Sequence, residues 1–157
     1  MISSKAKYAL RAAIVLAERH STPGWVPTVA IAEREGIPRK FLEAILVQLR
    51  DNGLIDSRRG SLGGHRLSRE PSTISVADII RVVDGPLALT PCASVTRFRL
   101  CVDCGDVNAC RLRRLMREAR DAVADVLENR SLSSLVWPDG EATGDGVTAS
   151  PLPQPAG

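Results

Sequence analysis

The stretch PTVAIAEREGIPRKFLEAILVQLRDNGL, residues 27–54, places the tightest limit on the fold of this chain. A short helix is expected over Val29 to Glu35, and it ends at Gly36, because glycine suits the left-handed position just past a helix end. Pro38 then stands at the start of a second helix, where its missing N–H is tolerated. Asn52-Gly53 ends that helix. Two short helices joined by a tight, glycine-containing turn predict a helix-turn-helix.

The second helix of this motif is amphipathic and is followed at once by a basic hairpin. Its apolar residues recur at the spacing of one buried helix face: Phe41, Leu42, Ile45, Leu46 and Leu49. In the next stretch, LIDSRRGSLGGHRLS, Leu54–Arg58 and His65–Ser68 can pair around a glycine-rich tip. A helix-turn-helix followed by such a hairpin predicts a winged helix. The expected fold is mainly α, with a small β-hairpin wing and a long C-terminal helix.

One further helix is expected before this motif and one after it. Apolar residues at helical spacing predict a helix over residues 4–20. Ser75 and Asp78 have the spacing of a capping box before an apolar run, so a short helix is expected over Val76–Val83.

A last helix, expected from a cap at Asp106 or Asn108 to about Asn129, carries a heptad pattern. Its apolar residues step by four and three positions: Leu112, Met116, Ala119, Val123 and Val126. About two heptads are enough for a contact between two copies of the chain, and packing on its own domain is the alternative.

The pattern of elements divides the 157-residue chain into four predicted segments. Residues 1–86 form the winged helix-turn-helix, and residues 87–107 form a cysteine-rich loop. Residues 108–136 are the dimerisation helix with a short extension. Residues 137–157 are rich in glycine, proline and alanine, which predicts a disordered tail.

Positive charge is concentrated in the predicted winged helix. Residues 36–66 contain six arginines or lysines and three acidic residues, whereas all the charged residues of 139–157 are acidic. A basic central segment fits a polyanionic partner. An enzyme is not expected, because Cys101-x₂-Cys104 follows no βαβ unit. The two histidines, His20 and His65, also stand apart from the cysteines in the sequence.

The N-terminal segment MISSKAKYALRAAIVLAERH does not have the pattern of a signal peptide, because Arg11 interrupts its apolar residues. No run of about 18 apolar residues that could cross a membrane is present. The expected location is therefore a reducing cytoplasm. In that compartment, clustered cysteines are more often metal ligands or redox centres than structural disulfides.

The candidate DNA-contacting residues follow from their positions on the predicted motif. The start of a recognition helix reaches base edges in the major groove, and there Arg39 and Lys40 suit phosphates or guanine, while Glu43 suits a cytosine amino group. Arg58 and Arg59 lie beside a slim hairpin tip that can enter a minor groove. Thr28 and Pro38, at the starts of the two helices of the motif, complete the candidates on the winged helix: Thr28, Pro38, Arg39, Lys40, Glu43, Arg58 and Arg59.

All four cysteines lie within one nineteen-residue window, at Cys92, Cys101, Cys104 and Cys110. Positive charge from nearby arginines and the dipole of the last helix at Cys110 both favour thiolates. Structural zinc prefers two C-x₂₋₄-C pairs, and only one such pair is present. Iron–sulfur clusters accept irregular four-cysteine sets. Spacing alone leaves a cluster, a zinc site and a redox thiol or disulfide pair open.

The segments SSKAKYALRA, GIPRKFLEAILVQLRDNGLIDSRRGSLGGHRLS and ISVADIIRVVDG, with the cysteine loop, resemble the Rrf-type winged-helix transcription regulators, the family of the IscR-, NsrR- and RirA-like proteins. The likeness runs from residue 1 to about 136. It implies a homodimer that binds a palindromic DNA operator, most commonly as a repressor. It also implies sensing of iron, redox state or nitric oxide through an iron–sulfur cluster.

The resemblance also assigns roles to individual residues. By position, Glu43 matches a base-discriminating residue, Arg59 matches a wing arginine in the minor groove, and Tyr8 matches a residue near the phosphate backbone. Related regulators bind their cluster with three cysteines and either a non-cysteine ligand or an open position. In this chain the ligands implied are the four cysteines, and a [2Fe–2S] cluster is favoured over [4Fe–4S].

This chain departs from the family pattern at two positions. Arg113 stands where IscR-like proteins place a histidine, and Lys7 stands where NsrR-like proteins place a carboxylate from the first helix. Neither side chain can bind iron, so the fourth cysteine is the natural replacement and the chain is a four-cysteine variant. An all-thiolate site of this kind should hold its cluster more firmly.

Overall fold

The computed structural model describes residues 2–102 and 104–136. In this part of the chain, helices surround one core and a two-stranded antiparallel sheet lies at its edge. The elements are α1 (Ser4–Glu18), α2 (Thr28–Glu35), α3 (Arg39–Asp51), β1 (Ile55–Arg58), β2 (Gly64–Leu67), α4 (Val76–Val83) and α5 (Arg111–Glu128). Short 3-10 turns lie at Pro71–Thr73, Pro91–Ala93 and Leu132–Leu135.

Helix α1 is central to the fold, and most of the residues on its buried face are alanines. Its N-cap, Ser3, accepts a hydrogen bond from the Ala6 backbone at 3.0 Å, which satisfies one of the donors left open at a helix start. Alanines on the buried face let neighbouring helices approach closely, and α1 contacts α2, α3, α4 and β2. The fully buried alanines are Ala6, Ala9, Ala12 and Ala13.

The helix-turn-helix forms as expected. Gly36 has φ 60° and ψ 37°, the left-handed conformation that ends α2. The carbonyl of Pro38 accepts hydrogen bonds from Phe41 and Leu42 at 3.0 Å each and begins α3. The buried face of α3 consists of Leu42, Ile45, Leu46 and Leu49. Burying each of these side chains stabilises the fold by about 1.5–3 kcal/mol.

The hairpin also forms as expected, and a third segment joins it. Ile55 pairs with Leu67 and Arg58 pairs with Gly64 at the two ends of the ladder. Val26, just before α2, forms a further antiparallel bridge with His65. The hairpin is thus attached to the chain that leads into the helix-turn-helix. We call residues 54–68 the wing.

The end of the described chain returns to the core, which the sequence did not predict. The Val76 backbone donates to the Arg130 carbonyl at 2.8 Å, and the Leu132 backbone donates to the Ile74 carbonyl at 2.9 Å. Leu132 is fully buried. The segment after α5 is therefore a structural part of the first domain as well as an extension of the last helix.

The predicted helices and strands all form, and several of them begin or end one or more residues away from the prediction. The capping box of Ser75 and Asp78 begins α4, whose bounds match the prediction. The first helix ends at Glu18, two residues earlier than expected. The expected caps of the last helix, Asp106 and Asn108, were wrong, because Cys110 is the N-cap of α5. The predicted tail, residues 137–157, lies outside the described residues, and none of the described helices is long and apolar enough to cross a membrane.

Candidate nucleic-acid interface and cysteine site

The first turn of α3 presents three charged side chains to solvent. Arg39, Lys40 and Glu43 are all exposed, on the face opposite the buried leucines. Arg39 Nε donates to Glu43 Oε1 at 3.0 Å, four residues along the helix. An exposed pair of this kind contributes little to stability, so both side chains can leave it at small cost. This surface can offer cations to phosphates and either a donor or an acceptor to a base edge.

Tyr8 of α1 packs beside the same end of α3. Its ring meets the ring of Phe41 edge to face, with centroids 5.8 Å apart. Lys7 and Arg11 place their charged groups 5.5 and 5.9 Å from the centre of the Tyr8 ring. Arg11 is also held by Glu35, with Nε and Oε2 2.8 Å apart. Tyr8 is therefore half-buried in a basic environment beside the recognition helix.

The wing has a slim tip that carries two exposed arginines, Arg58 and Arg59. Gly60 adopts φ 107°, and a Cβ at Gly63 would lie 2.2 Å from the Arg58 carbonyl oxygen. Side chains are thus excluded from the inside of the turn, which keeps it narrow. Leu62 points outward, with 82% of its surface exposed.

Thr28, the first residue of α2, is connected to the wing through a residue that the sequence analysis did not place in the site. The Thr28 hydroxyl lies 2.9 Å from Nε2 of His65, and the other ring nitrogen lies 2.8 Å from the Ser57 hydroxyl. Burial and the positive charge of Arg50 lower the pKa of His65. The ring is therefore neutral at pH 7 and has one donor and one acceptor.

Cys92 lies in the 3-10 turn Pro91–Ala93 and is buried. Its sulfur lies 3.4 Å from the Thr90 hydroxyl. This hydrogen bond lowers the pKa of Cys92, and a hydrogen bond with the Cys101 thiol and the charge of Arg113 lower it further, whereas burial raises it. The thiols of Cys92 and Cys101 are thus neighbours although nine positions separate them in the sequence.

Cys110 begins α5, where its sulfur accepts a hydrogen bond from the Arg113 backbone at 3.4 Å. The same arginine uses its side chain to hold Cys92, since Nε donates to the Cys92 carbonyl at 3.0 Å. Its guanidinium also lies 5.6 Å from the ring centre of Phe98. Arg113, which the sequence analysis noted only as unable to bind iron, therefore joins the two ends of the cysteine loop.

The cysteine loop has the ligand types of a metal centre, but its cysteines are not positioned around a common point. Cys104 is in a turn with Cys101, whose carbonyl accepts its N–H at 3.3 Å. Four thiols lie in one loop, and the lowered pKa of Cys92 favours a thiolate ligand at that position. Within residues 2–102 and 104–136, however, no group of three or more ligand-type side chains is placed to hold a metal ion. Binding would require the loop to close around the metal.

The apolar seam of α5 is left open in the single chain. Leu112 and Val126 expose 59% and 58% of their surfaces, and Val123 is exposed as well, while Met116 and Ala119 are half-buried. The buried residue of this helix is Ala124, which is outside the predicted seam. A row of exposed apolar side chains on a helix of 18 residues can pack against a matching helix.

Comparison with known proteins agrees with this arrangement. A family profile, Rrf2, described as iron-dependent transcriptional regulator, matches residues 2–138. An Rrf2-like helix-turn-helix regulator of Rhodobacter capsulatus is 37% identical over 87% of this chain and 92% of its own length. The regulator IscR of Yersinia pseudotuberculosis is 35% identical over 86% of this chain and 78% of its own.

A solved structure shows the same fold. The structure of CymR, the global cysteine regulator of B. subtilis, matches with a TM-score of 0.69 and 33% identity, over 86% of this chain and 95% of that one. These relatives are winged-helix transcription regulators, which confirms the predicted fold class and the expectation that the chain is not an enzyme. The chain belongs to the Rrf2 family of DNA-binding transcriptional regulators.

Proposed function

We propose that this chain is a homodimeric repressor whose binding to a palindromic DNA operator is controlled by an iron–sulfur cluster at Cys92, Cys101, Cys104 and Cys110. The observation that carries the proposal is the position of Arg113, whose Nε donates to the Cys92 carbonyl at 3.0 Å while its backbone N–H donates to the Cys110 sulfur at 3.4 Å. This arrangement supports the proposal, because one residue of α5 contacts both the first and the last cysteine of the set. The similarity to IscR and the description of the family as iron-dependent support iron as the metal.

On the DNA side, two surfaces would act together. Arg39, Lys40 and Glu43 would enter the major groove from the start of α3, and Arg58 and Arg59 would approach the adjacent minor groove from the wing. Contacts near the phosphates would come from Tyr8 of α1, from Thr28 at the start of α2 and from Pro38, the N-cap of α3. The exposed seam of α5 would join two copies, and the two-fold symmetry of the pair would match a palindrome.

On the cysteine side, the four thiolates would hold the cluster, and [2Fe–2S] is favoured. When bound, the group supplies redox and ligand-exchange chemistry that responds to iron supply, redox state or nitric oxide. The chain's own contribution is to stabilise the Cys92 thiolate through the hydrogen bond with Thr90 and the charge of Arg113, both of which lower the pKa of Cys92. Closing residues 92–110 around one centre would fix α5 relative to α4.

A sequence of contacts leads from that loop to α3. Arg81 of α4 forms an ion pair with Glu128 of α5, so a movement of α5 would also move α4. Asp84, at the end of α4, is hydrogen-bonded to Ser3, the N-cap of α1. Helix α1 then reaches α3 through Tyr8. Closure of the loop would thus alter the spacing between the two recognition helices of a dimer.

The proposal is tested by purifying the full chain without oxygen and recording its visible spectrum. A brown protein with sulfide-to-iron absorption, about two irons per [2Fe–2S] cluster, is expected. Cys104→Ser should lose this absorbance and change operator affinity, whereas Thr96→Ala, an exposed change in the same loop, should do neither. If Cys104→Ser left both absorbance and operator affinity unaltered, the proposal would be wrong.

A second candidate is a thiol–disulfide switch at the same cysteines. The contact between the Cys92 and Cys101 thiols favours it, because an oxidant such as a peroxide could remove two electrons and two protons and join the two sulfurs. The similarity to CymR, the global cysteine regulator of B. subtilis, also supports it. A colourless protein with a Cys92–Cys101 crosslink after mild oxidation would favour this function, and one zinc per chain would indicate a structural metal instead.

A further inference from the structure

The wing and the segment ahead of α2 are joined through both faces of β2. Successive side chains of a strand point to opposite faces, so His65 and Arg66 lie on different sides of the hairpin. On one side, His65 reaches the Thr28 hydroxyl. On the other, the Arg66 guanidinium lies 4.5 Å from the ring centre of Trp25. The segment 25–28 is therefore held from both sides of the strand.

Each of these two contacts begins with a cross-strand pair inside the wing. Ser57 is directly opposite His65 in the ladder and Asp56 is opposite Arg66. The Ser57 hydroxyl lies 2.8 Å from Nδ1 of His65, and Asp56 Oδ2 lies 3.4 Å from the Arg66 guanidinium. Both strands of the wing therefore help to fix the position of segment 25–28, which leads into α2.

The backbone adds a third connection at the same place. Val26 and His65 exchange two hydrogen bonds of 2.9 Å, one from each N–H. The contact is so close that a Cβ at Gly64 would lie 2.4 Å from the Val26 carbonyl oxygen. The two backbone hydrogen bonds alone would let the wing rotate relative to segment 25–28. The contacts of the His65 ring with Thr28 and Ser57 lie away from those bonds and oppose that rotation.

We propose that His65 is a positioning residue for DNA recognition, which sets the angle of the wing relative to the helix-turn-helix. Its ring uses both nitrogens, one on α2 and one on β1, so the wing arginines and the start of α3 are held at a spacing that fits one DNA half-site. The ring itself does not contact DNA. The inference rests on operator binding, and it does not depend on the metal or on the redox chemistry of the cysteines.

The test is a double-mutant cycle, measured with a duplex of about 30 base pairs selected from a random library by the unaltered, anaerobically purified chain. Fluorescence anisotropy gives the affinity of four proteins: unaltered, Arg59→Ala, His65→Phe and the double variant. Phenylalanine keeps a ring of similar size without nitrogen atoms. Arg59→Ala should weaken binding about tenfold in the unaltered protein and less than about twofold when His65 is replaced.

The control cycle combines His65→Phe with Lys40→Ala, a change on α3. These two effects should be independent, because Lys40 is on the helix-turn-helix and not on the wing. General damage to the protein would alter the effects of both Arg59→Ala and Lys40→Ala. Only loss of wing position would alter the effect of Arg59→Ala alone.

A thermal melt monitored by circular dichroism establishes that each variant is folded. If His65→Phe does not fold, Ser57→Ala takes its place in the cycle, since it removes the wing-side hydrogen bond and leaves the imidazole and its contact with Thr28. An unchanged effect of Arg59→Ala in the altered background would overturn the inference and leave operator binding intact. A chain that selects no duplex would overturn operator binding and the inference together.

Discussion

Asp84 holds the N-cap of α1 with both of its carboxylate oxygens. The Ser3 backbone donates to Oδ2 at 2.8 Å, and the Ser3 hydroxyl donates to Oδ1. Because Asp84 is the C-cap of α4, just before the chain enters the cysteine loop, this contact joins the start of that loop to the helix that packs on α3. It is an exposed contact between residues 81 positions apart, and sequence reasoning gave no signal for it.

We expect Asp84→Ala to weaken the connection between the cysteine loop and operator binding. The affinity difference between the cluster-bound and cluster-free forms should shrink, while the free energy of unfolding falls by only about 1 kcal/mol, as for loss of an exposed hydrogen-bonded cap. Asp106→Ala is the control, because Asp106 only closes a local turn with Asn108. An unchanged affinity difference in Asp84→Ala would show that the signal takes another route.

Gly64→Ala should destabilise the chain by about 2 kcal/mol or more, because a new Cβ would overlap the Val26 backbone and the φ of 156° disfavours other residues. Gly105→Ala is a matched control, since nothing lies within 4 Å of its Cβ position. Its stability should change by less than about 0.5 kcal/mol. Urea unfolding measures both, and equal stabilities for the two variants would show that segment 25–27 moves away at little cost.

The fold was predictable because its signals are local. Gly36 at a left-handed position, the capping box of Ser75 and Asp78, and the apolar spacing of α3 each depend on a few neighbouring residues. The missed features join distant parts of the chain. The bridge between Val26 and His65 and the return of Leu132 to the core depend on how finished elements pack, which no local pattern encodes.

In the candidate site, too, the residues of a local motif could be predicted and those defined by long-range contacts could not. The residues at the start of α3 and on the wing could be identified because the motif fixes which positions face outward. The roles of His65 and Arg113 could not, because a lone histidine on a strand and an arginine in a basic helix are common surface residues. Even the cap of α5 was misassigned, since Asp106 and Asn108 are better capping types than Cys110 but form a local turn instead.

The stability of the chain should depend on pH through His65. Burial and Arg50 lower its pKa from the usual 6.5, so the unfolded chain takes up a proton more readily than the folded one. Stability is therefore retained above pH 6.5 and is lost as pH falls from that value towards the folded pKa. In His65→Gln this part of the loss should vanish when urea unfolding is followed between about pH 5 and 8. Parallel curves for the two proteins would contradict the assignment.

The exposed seam of α5 should hold two chains together. Val126→Lys places a charge in the proposed interface and should convert the dimer to a monomer in sedimentation velocity, because an unpaired charge is costly to bury. The fold of each chain should be preserved, since Val126 is exposed within the chain. Glu118→Lys places the same side chain on an exposed position outside the seam and should leave the dimer intact. A Val126→Lys protein that sediments as a dimer would place the interface elsewhere.

Arg113 should determine how firmly the cysteine loop is held when no metal is bound. Arg113→Ala removes the hydrogen bond from Nε to the Cys92 carbonyl and the contact with Phe98, while the backbone bond to Cys110 remains. Amide exchange of the segment around Cys92 should become about tenfold faster, the change expected for losing about 1.4 kcal/mol of local stability. Exchange in α3 should be unaltered. Arg114→Ala, at an exposed position one residue along α5, should leave exchange near Cys92 as it is. If Arg113→Ala does the same, the loop is held by its own turns and the arginine serves only as surface charge.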